Sequence, residues 1–256
     1  MCMQNNFLFA LLQKHTAGPS LDQLKRVFKQ FSHLTDADAV RLSVGAHGIL
    51  MKNLEQQPAR ALQIAFQKEG TPVLMIAQRD LPALPEKKFL HRAEIWPQAL
   101  TICDPGGATA AIPWNDVTLI AAGAAQDIDR NRTQTEMLRR HLDANSDILS
   151  KSPPDALSDS RLILEFIVRD GEVRYEIDAA EFMFKQVIDR PGLGLEEKFI
   201  WLVRQICREA AQASLNSGAR SLVDGAQRVP RYANRQLFTD EIVWLLWRAR
   251  QVRKSS

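Results

Sequence analysis

Between Leu81 and Glu86 the chain reads Leu-Pro-Ala-Leu-Pro-Glu, and across that hexapeptide its hydrophobic period changes. Two prolines fix the backbone and remove ladder donors, so the composition is that of a linker. Upstream, apolar residues recur at helical spacing. Downstream they come as short runs broken by turn residues. A chain built this way is neither one helical bundle nor one sandwich, and the expected class is α+β. The expected divisions are a small α/β unit over 1–82, a linker over 83–87, a strand-rich domain over 88–216, and a basic helical extension over 217–256. A length of 256 residues has room for two modest domains. With 45% hydrophobic and 25% charged residues, collagen-like and wholly disordered chains are excluded. No apolar run approaches the roughly 18 residues a membrane span needs.

Phe7 to Leu12 is a continuous apolar run, the pattern of a strand covered on both faces. Ser20 is a good N-cap for a helix whose Leu21, Leu24, Val27, Phe28 and Phe31 form one stripe. Thr35 and Asp36 open a second short helix that ends at Gly45 to Gly48. Ile49-Leu50-Met51 is a short strand, and a helix from about Glu55 to Lys68 follows it. Gly70 lies where a left-handed cap favours glycine, and Val73 to Ala77 forms a returning strand.

This order resembles the C-terminal domain of the bacterial ribosomal stalk protein. Leu42-Ser43-Val44-Gly45-Ala46 sits where that family has its Leu-x-x-Gly-Ala turn, and Ala61, Phe66 and Gly70 fall at or beside its apolar and glycine positions. The resemblance covers under a third of the chain, with spacing that fits without a gap from Leu42 to Ile76, and implies topology alone. The family docks translation factors on lysines of its short helix, whereas Asp36, Ala37, Asp38 and Val40 stand there here.

Past the linker, Ala99 to Cys103, Thr109 to Ile112 and Val117 to Ala121 read as strands, with a turn at Asp104-Pro105-Gly106-Gly107. The succession ending in Ile112-Pro113-Trp114-x-Asp116-Val117 resembles bacterial pleckstrin-homology-like barrels. Residues 126–159 lack Val, Phe, Trp and Tyr altogether beyond Gln126, which marks a polar insertion, with one helix expected near Glu136–Leu142. Strands resume at Leu162 to Val168 and Val173 to Ile177, around the hairpin signal Asp170-Gly171. A helix from about Leu195 to Ala213 presents Phe199, Leu202, Val203, Ile206 and Ala210 on one stripe, and in such a barrel it plugs an open end.

Motifs for chemistry are scarce, and no catalytic, cofactor-binding or metal-ligating residue is assigned. Gly192-x-Gly194 lacks the third glycine and the Lys-Ser/Thr of a phosphate loop, so it reads as a turn into a helix. Asp36-x-Asp38 sits at a helix start, where the dipole already favours acids. The five histidines form no HxH or HExxH, and only His47, between glycine-rich neighbours, has an unusual backbone setting. Cys2, Cys103 and Cys207 are far apart and read as reduced thiols. No Lys or Arg precedes the first apolar run, so a cytoplasmic location is expected.

The formal charge is only +3, and the excess of arginine lies after Ser217. Arg228, Arg231, Tyr232 and Arg235 could clamp a phosphate or stack on a base, or pair with acids of the insertion. Thr239 reads as the cap of a terminal helix, with Asp240 and Glu241 in its first turn. On that helix Trp244, Trp247, Arg248 and Arg250 suit a partner groove, an anionic surface, or docking onto the protein itself. These eight residues are the candidate anion- or partner-binding set. The expected function is a non-catalytic cytoplasmic interaction or regulatory protein of bacterial type, its partner most simply another protein. The alternative is phosphate, nucleic-acid or anionic-surface binding through the basic segment. A third reading is an enzyme with its site between the two domains, which a cleft lined by His47 and acidic residues would favour.

Overall fold

A computed structural model describes residues 7–16, 18–45, 47–103, 109–126, 160–188 and 192–255. The chain is mixed, with sheets and helices, as α+β requires. The turn expected at 104–107 and the helix expected at 136–142 lie outside the described residues, as does nearly all of the polar insertion.

The N-terminal unit is a three-stranded sheet in the order β2–β1–β3: β1 (Phe9–Gln13) pairs antiparallel with both β2 (Ile49–Leu54) and β3 (Val73–Ala77). α1 (Leu21–Phe28), α2 (Asp36–Gly45) and α3 (Gln56–Lys68) fill the connections. Ser20 caps α1 through a capping box with Gln23, and Gly70 takes φ +72° after α3. Leu11 joins Leu24, Val27, Phe28, Leu62 and Phe66 in one core. The alternate residues Ala10 and Leu12, with Ile49, face the other way and meet Trp244 and Trp247. The apolar run of β1 is therefore continuous because both of its faces are covered.

The second and larger sheet is built on the meander β8 (Val117–Gln126), β9 (Ser160–Val168) and β10 (Val173–Asp178). β4 (Lys87–Phe89) extends it in parallel beside β10. On the opposite edge β11 (Ser214–Leu215) and β12 (Arg231–Tyr232) both run parallel to β8. Gly171, at φ +101°, helps turn the β9–β10 hairpin at the expected place. β5 (Arg92–Ile95), β6 (Ala99–Cys103) and β7 (Thr109–Pro113) form a separate antiparallel sheet.

One face of β8–β10, the sheet β5–β7 and α4 (Leu195–Glu209) enclose a common core that includes Leu100, Ile112, Phe166, Ile177, Phe199 and Val203. The two sheets do not close on one another among the described residues. The turn at Trp114–Asp116 separates β7 from β8, which pair in different sheets, so the expected barrel is replaced by open sheets packed around a helix.

The last helix, α6 (Arg235–Ser255), is packed into the fold along its stretch from Phe238 to Trp247. Phe238, Ile242 and Leu246, spaced by four, pack on Leu119, Ala121, Ile163 and Ile167 of the large sheet. Trp244 and Trp247 pack on the N-terminal sheet. The basic extension is thus the shared wall of both units, because α6 carries an apolar stripe for each. Its start also differs from expectation. Asn234 Oδ1 accepts from Leu237 N at 2.9 Å, the bond of an N-cap, which leaves Thr239, Asp240 and Glu241 inside the helix. No helix among the described residues is long and apolar enough to cross a membrane.

Candidate functional site

Asn216 organises the region where the two units meet. It is fully buried at the start of α5 (Ser217–Val223), and its Oδ1 accepts from Ala219 N at 2.8 Å and Ala122 N at 3.0 Å. Its Nδ2 donates to Ala122 O at 3.2 Å and to Tyr232 Oη at 2.8 Å. One amide side chain therefore caps a helix and holds that helix against β8. The close approach depends on small residues. A Cβ at Gly218 would lie 1.9 Å from Ala122 O, and one at Gly123 would lie 2.5 Å from the Tyr232 ring.

Tyr232 Oη donates to Glu241 Oε2 at 2.5 Å, and Ser217 Oγ lies 3.0 Å from each of those oxygens. Ser217 N donates to Glu241 Oε1 at 2.7 Å. Both carboxylate oxygens of Glu241 are thus engaged. Burial, reinforced by the neighbouring carboxylate, pushes the Tyr232 phenol well above its ordinary range, so it keeps its proton. His47, in the turn before β2, faces the Tyr232 ring edge-on at 6.2 Å between centroids.

Beside this network lies a cleft of about 390 Å³ between the N-terminal unit, α5 and α6. His47 and Thr16 line it from one side, Ser217 and Arg220 from α5, and Glu241, Trp244, Leu245 and Arg248 from α6. The Arg248 guanidinium sits over the Trp244 ring, 4.8 Å from its centroid. Neither Arg220 nor Arg248 forms an ion pair among the described residues, whereas the only carboxylate in the wall is already bonded. The cleft is consequently cationic.

The eight residues singled out in the sequence do not come together. α6 has 21 residues, about 30 Å at 1.5 Å per residue, and it separates Arg228, Arg231 and Arg235 from Arg248 and Arg250. Arg228 and Arg231 are exposed, while Tyr232, Trp244 and Trp247 are buried in packing. Arg235 is 18% exposed and pairs with Glu165 of β9 and Glu176 of β10, at 2.5 Å to the latter. These partners are strand residues, not acids of the insertion. Arg174 adds a second guanidinium to Glu165 at 2.6 Å, and Lys87 reaches Glu176 at 3.0 Å. A cavity of about 220 Å³ opens there, bounded by Lys87, Arg161, Glu176 and Arg235, and its charges pair with one another or with Glu165, Asp178 and Glu181. Asp38 binds Thr35 Oγ1 at 2.6 Å and Thr35 N at 3.0 Å, which lowers its carboxyl below the usual range, as helix capping does. Among the described residues no group of three His, Cys, Asp or Glu is placed to hold a metal ion.

Of the residues around the cleft, Trp244, Arg248 and His47 are visible as candidates from sequence. Asn216, Ser217, Arg220 and Glu241 are not. Asn216 ahead of Gly218 and Ala219 carries a helix-start signal, but nothing local announces that β12 and α6 converge on it. Comparison of the chain with known proteins finds no matching family, no matching curated protein and no matching solved structure.

Proposed function

We propose that the protein is a non-catalytic binding protein that takes a small anionic ligand in the cleft between its N-terminal unit, α5 and α6. The observation that carries this reading is the pair Arg220 and Arg248, two guanidiniums without a carboxylate partner among the described residues, on the walls of one cavity. A guanidinium is always charged and presents a planar fork of donors suited to carboxylate and phosphate oxygens. Ser217 and His47 add polar groups to the same wall. Anion binding thus belongs to a built cleft holding Arg248, and not to a basic tail as a whole.

The cleft also answers to the enzyme reading, since His47 and an acidic residue line it. The bonding around Glu241 weighs against turnover. Its oxygens hold Ser217 and Tyr232 in place, and a phenol kept protonated by burial is no base. The protein fits a regulatory or sensing role in the cytoplasm, where the free thiols Cys103 and Cys207 would stay reduced. The stalk-like reading of 1–82 is supported by the order β2–β1–β3 with helical crossovers, and the pleckstrin-homology-like reading by antiparallel strands around α4.

Isothermal titration of the full chain with inorganic phosphate, citrate and octanoate tests the proposal. At least one anion should bind, more weakly as salt rises, and Arg220→Ala/Arg248→Ala should weaken it at least about tenfold. No binding by any of the three, or unchanged binding by the double variant, overturns it.

A further inference from the structure

Resting on that reading, we infer that the ligand carries two anionic groups and straddles α6, one group held by Arg220 and Arg248 and the other by Arg250. Three observations carry this. First, a second cavity of about 290 Å³ abuts the cleft, and Ser214, Leu245 and Ala249 belong to the walls of both. Among the described residues its wall holds Arg250 and Arg253 and no acidic side chain. Arg250 is exposed and, like Arg220 and Arg248, forms no ion pair among the described residues.

Second, the helix itself sets the cationic groups apart. Residues of an α-helix advance by about 100° each, so Arg248 and Arg250 leave α6 about 160° apart. Leu245 and Ala249, one turn apart, form the ridge between them. A ligand reaching over that ridge needs a span of roughly one helix width, about 10–12 Å. A single phosphate or carboxylate cannot touch both sides.

Third, neutral side chains on the path are donors without a partner. Ser214, shared by both walls, and Asn115, in the second, make no side-chain hydrogen bond among the described residues. A hydroxyl and an amide can each donate to an anionic oxygen. An apolar arm would leave those donors and Arg250 unserved, whereas a second anionic group engages them.

Each anionic group can be a carboxylate or a phosphate, since both accept paired N–H bonds from a guanidinium. The test is isothermal titration of the full chain with a mono-anion and a bis-anion of the same chain length. The pairs are hexyl phosphate with hexamethylene bisphosphate, and octanoate with octanedioate. Matched chains cancel the contribution of the methylenes and leave that of the second charge. In at least one pair the bis-anion should bind at one per chain and at least about tenfold tighter, with a steeper loss as salt rises. The pair that shows it names the chemistry, and either supports the inference. Arg250→Ala/Arg253→Ala, at two exposed positions, should bring the bis-anion back to the affinity of its mono-anion.

A bis-anion no tighter than its mono-anion, or an advantage that survives Arg250→Ala/Arg253→Ala, overturns the inference alone. The anion cleft then stands as long as Arg220→Ala/Arg248→Ala weakens the mono-anions. Mono-anions and bis-anions that all bind the Arg220→Ala/Arg248→Ala variant as they bind the natural chain overturn both. A single-stranded oligonucleotide that binds while neither bis-anion does also overturns the inference.

Discussion

Trp244 and Gln13, 231 residues apart in the chain, are joined by a hydrogen bond of 3.0 Å from the indole Nε1 to the backbone carbonyl. The ring lies against Gly48, where a Cβ would come within 2.5 Å of it. This contact, with Lys52 Nζ to Asp240 Oδ1 at 2.6 Å, fastens α6 to the N-terminal sheet. Trp244→Ala should therefore cost about 3–5 kcal/mol in urea denaturation. Trp244→Phe, which keeps an aromatic ring and loses the hydrogen bond, should cost less than Trp244→Ala. Equal costs would remove the case for packing between the units.

Gly218→Ala tests the contact of α5 with β8. The new methyl would meet a backbone oxygen at 1.9 Å, which no rotamer relieves, so a loss of about 2 kcal/mol or more is expected. Gly225→Ala is the control. Gly225 has φ +106° with open space around it, so only backbone strain of about 1 kcal/mol is expected. Thermal melts of the two variants should fall in that order.

Arg235→Met should cost about 3–5 kcal/mol, because it leaves the fully buried Glu165 with only Arg174, and Glu176 with only Lys87. Burial already raises the Glu165 carboxyl above its ordinary value, against the pull of Arg235 and Arg174. A raised carboxyl favours the fold fully below the unfolded value near 4.5, and this contribution is lost as pH rises through the folded value. Without Arg235 that raise grows. The variant's deficit should therefore be larger at pH 8 than at pH 5; an equal deficit at both refutes the assignment.

Burial pushes the Cys207 thiol up to about 12. In the folded protein Cys207 should resist iodoacetamide at pH 8.5, while the half-buried Cys103 is alkylated. The same shift stabilises the fold below the unfolded value near 9, and its contribution fades as pH climbs toward 12. Tyr232 acts in the same direction. Melting temperature should fall between pH 9 and 11, and Cys207→Ala should lessen the slope. A flat profile would contradict the burial of both groups.

Much of the local structure is legible in the sequence. Ser20 with Gln23, Gly70 at φ +72°, and Asp170-Gly171 in a hairpin are choices made within a few residues, where backbone sterics and capping act. The start of α6 differs from the sequence expectation because two caps compete locally. Asn234 and Thr239 are both good caps, and only the packing of Phe238 on Tyr232 and the pairing of Arg235 with Glu165 select the earlier one.

The cleft belongs to the other category. Periodicity along α6 tells that two sets of residues are apolar, Phe238, Ile242 and Leu246 in one and Trp244 with Trp247 in the other. It does not tell that each set has a sheet waiting for it. The sequence by itself determined which segments become most of the strands and helices and which faces avoid water, because those preferences are local. Tertiary structure alone decided that the most basic stretch becomes an inner wall, that Arg235 meets acids 70 and 59 positions away, and that Arg220 and Arg248 share a cavity. Non-directional burial and long-range charge pairing depend on which surfaces meet, and no window of neighbouring residues records that.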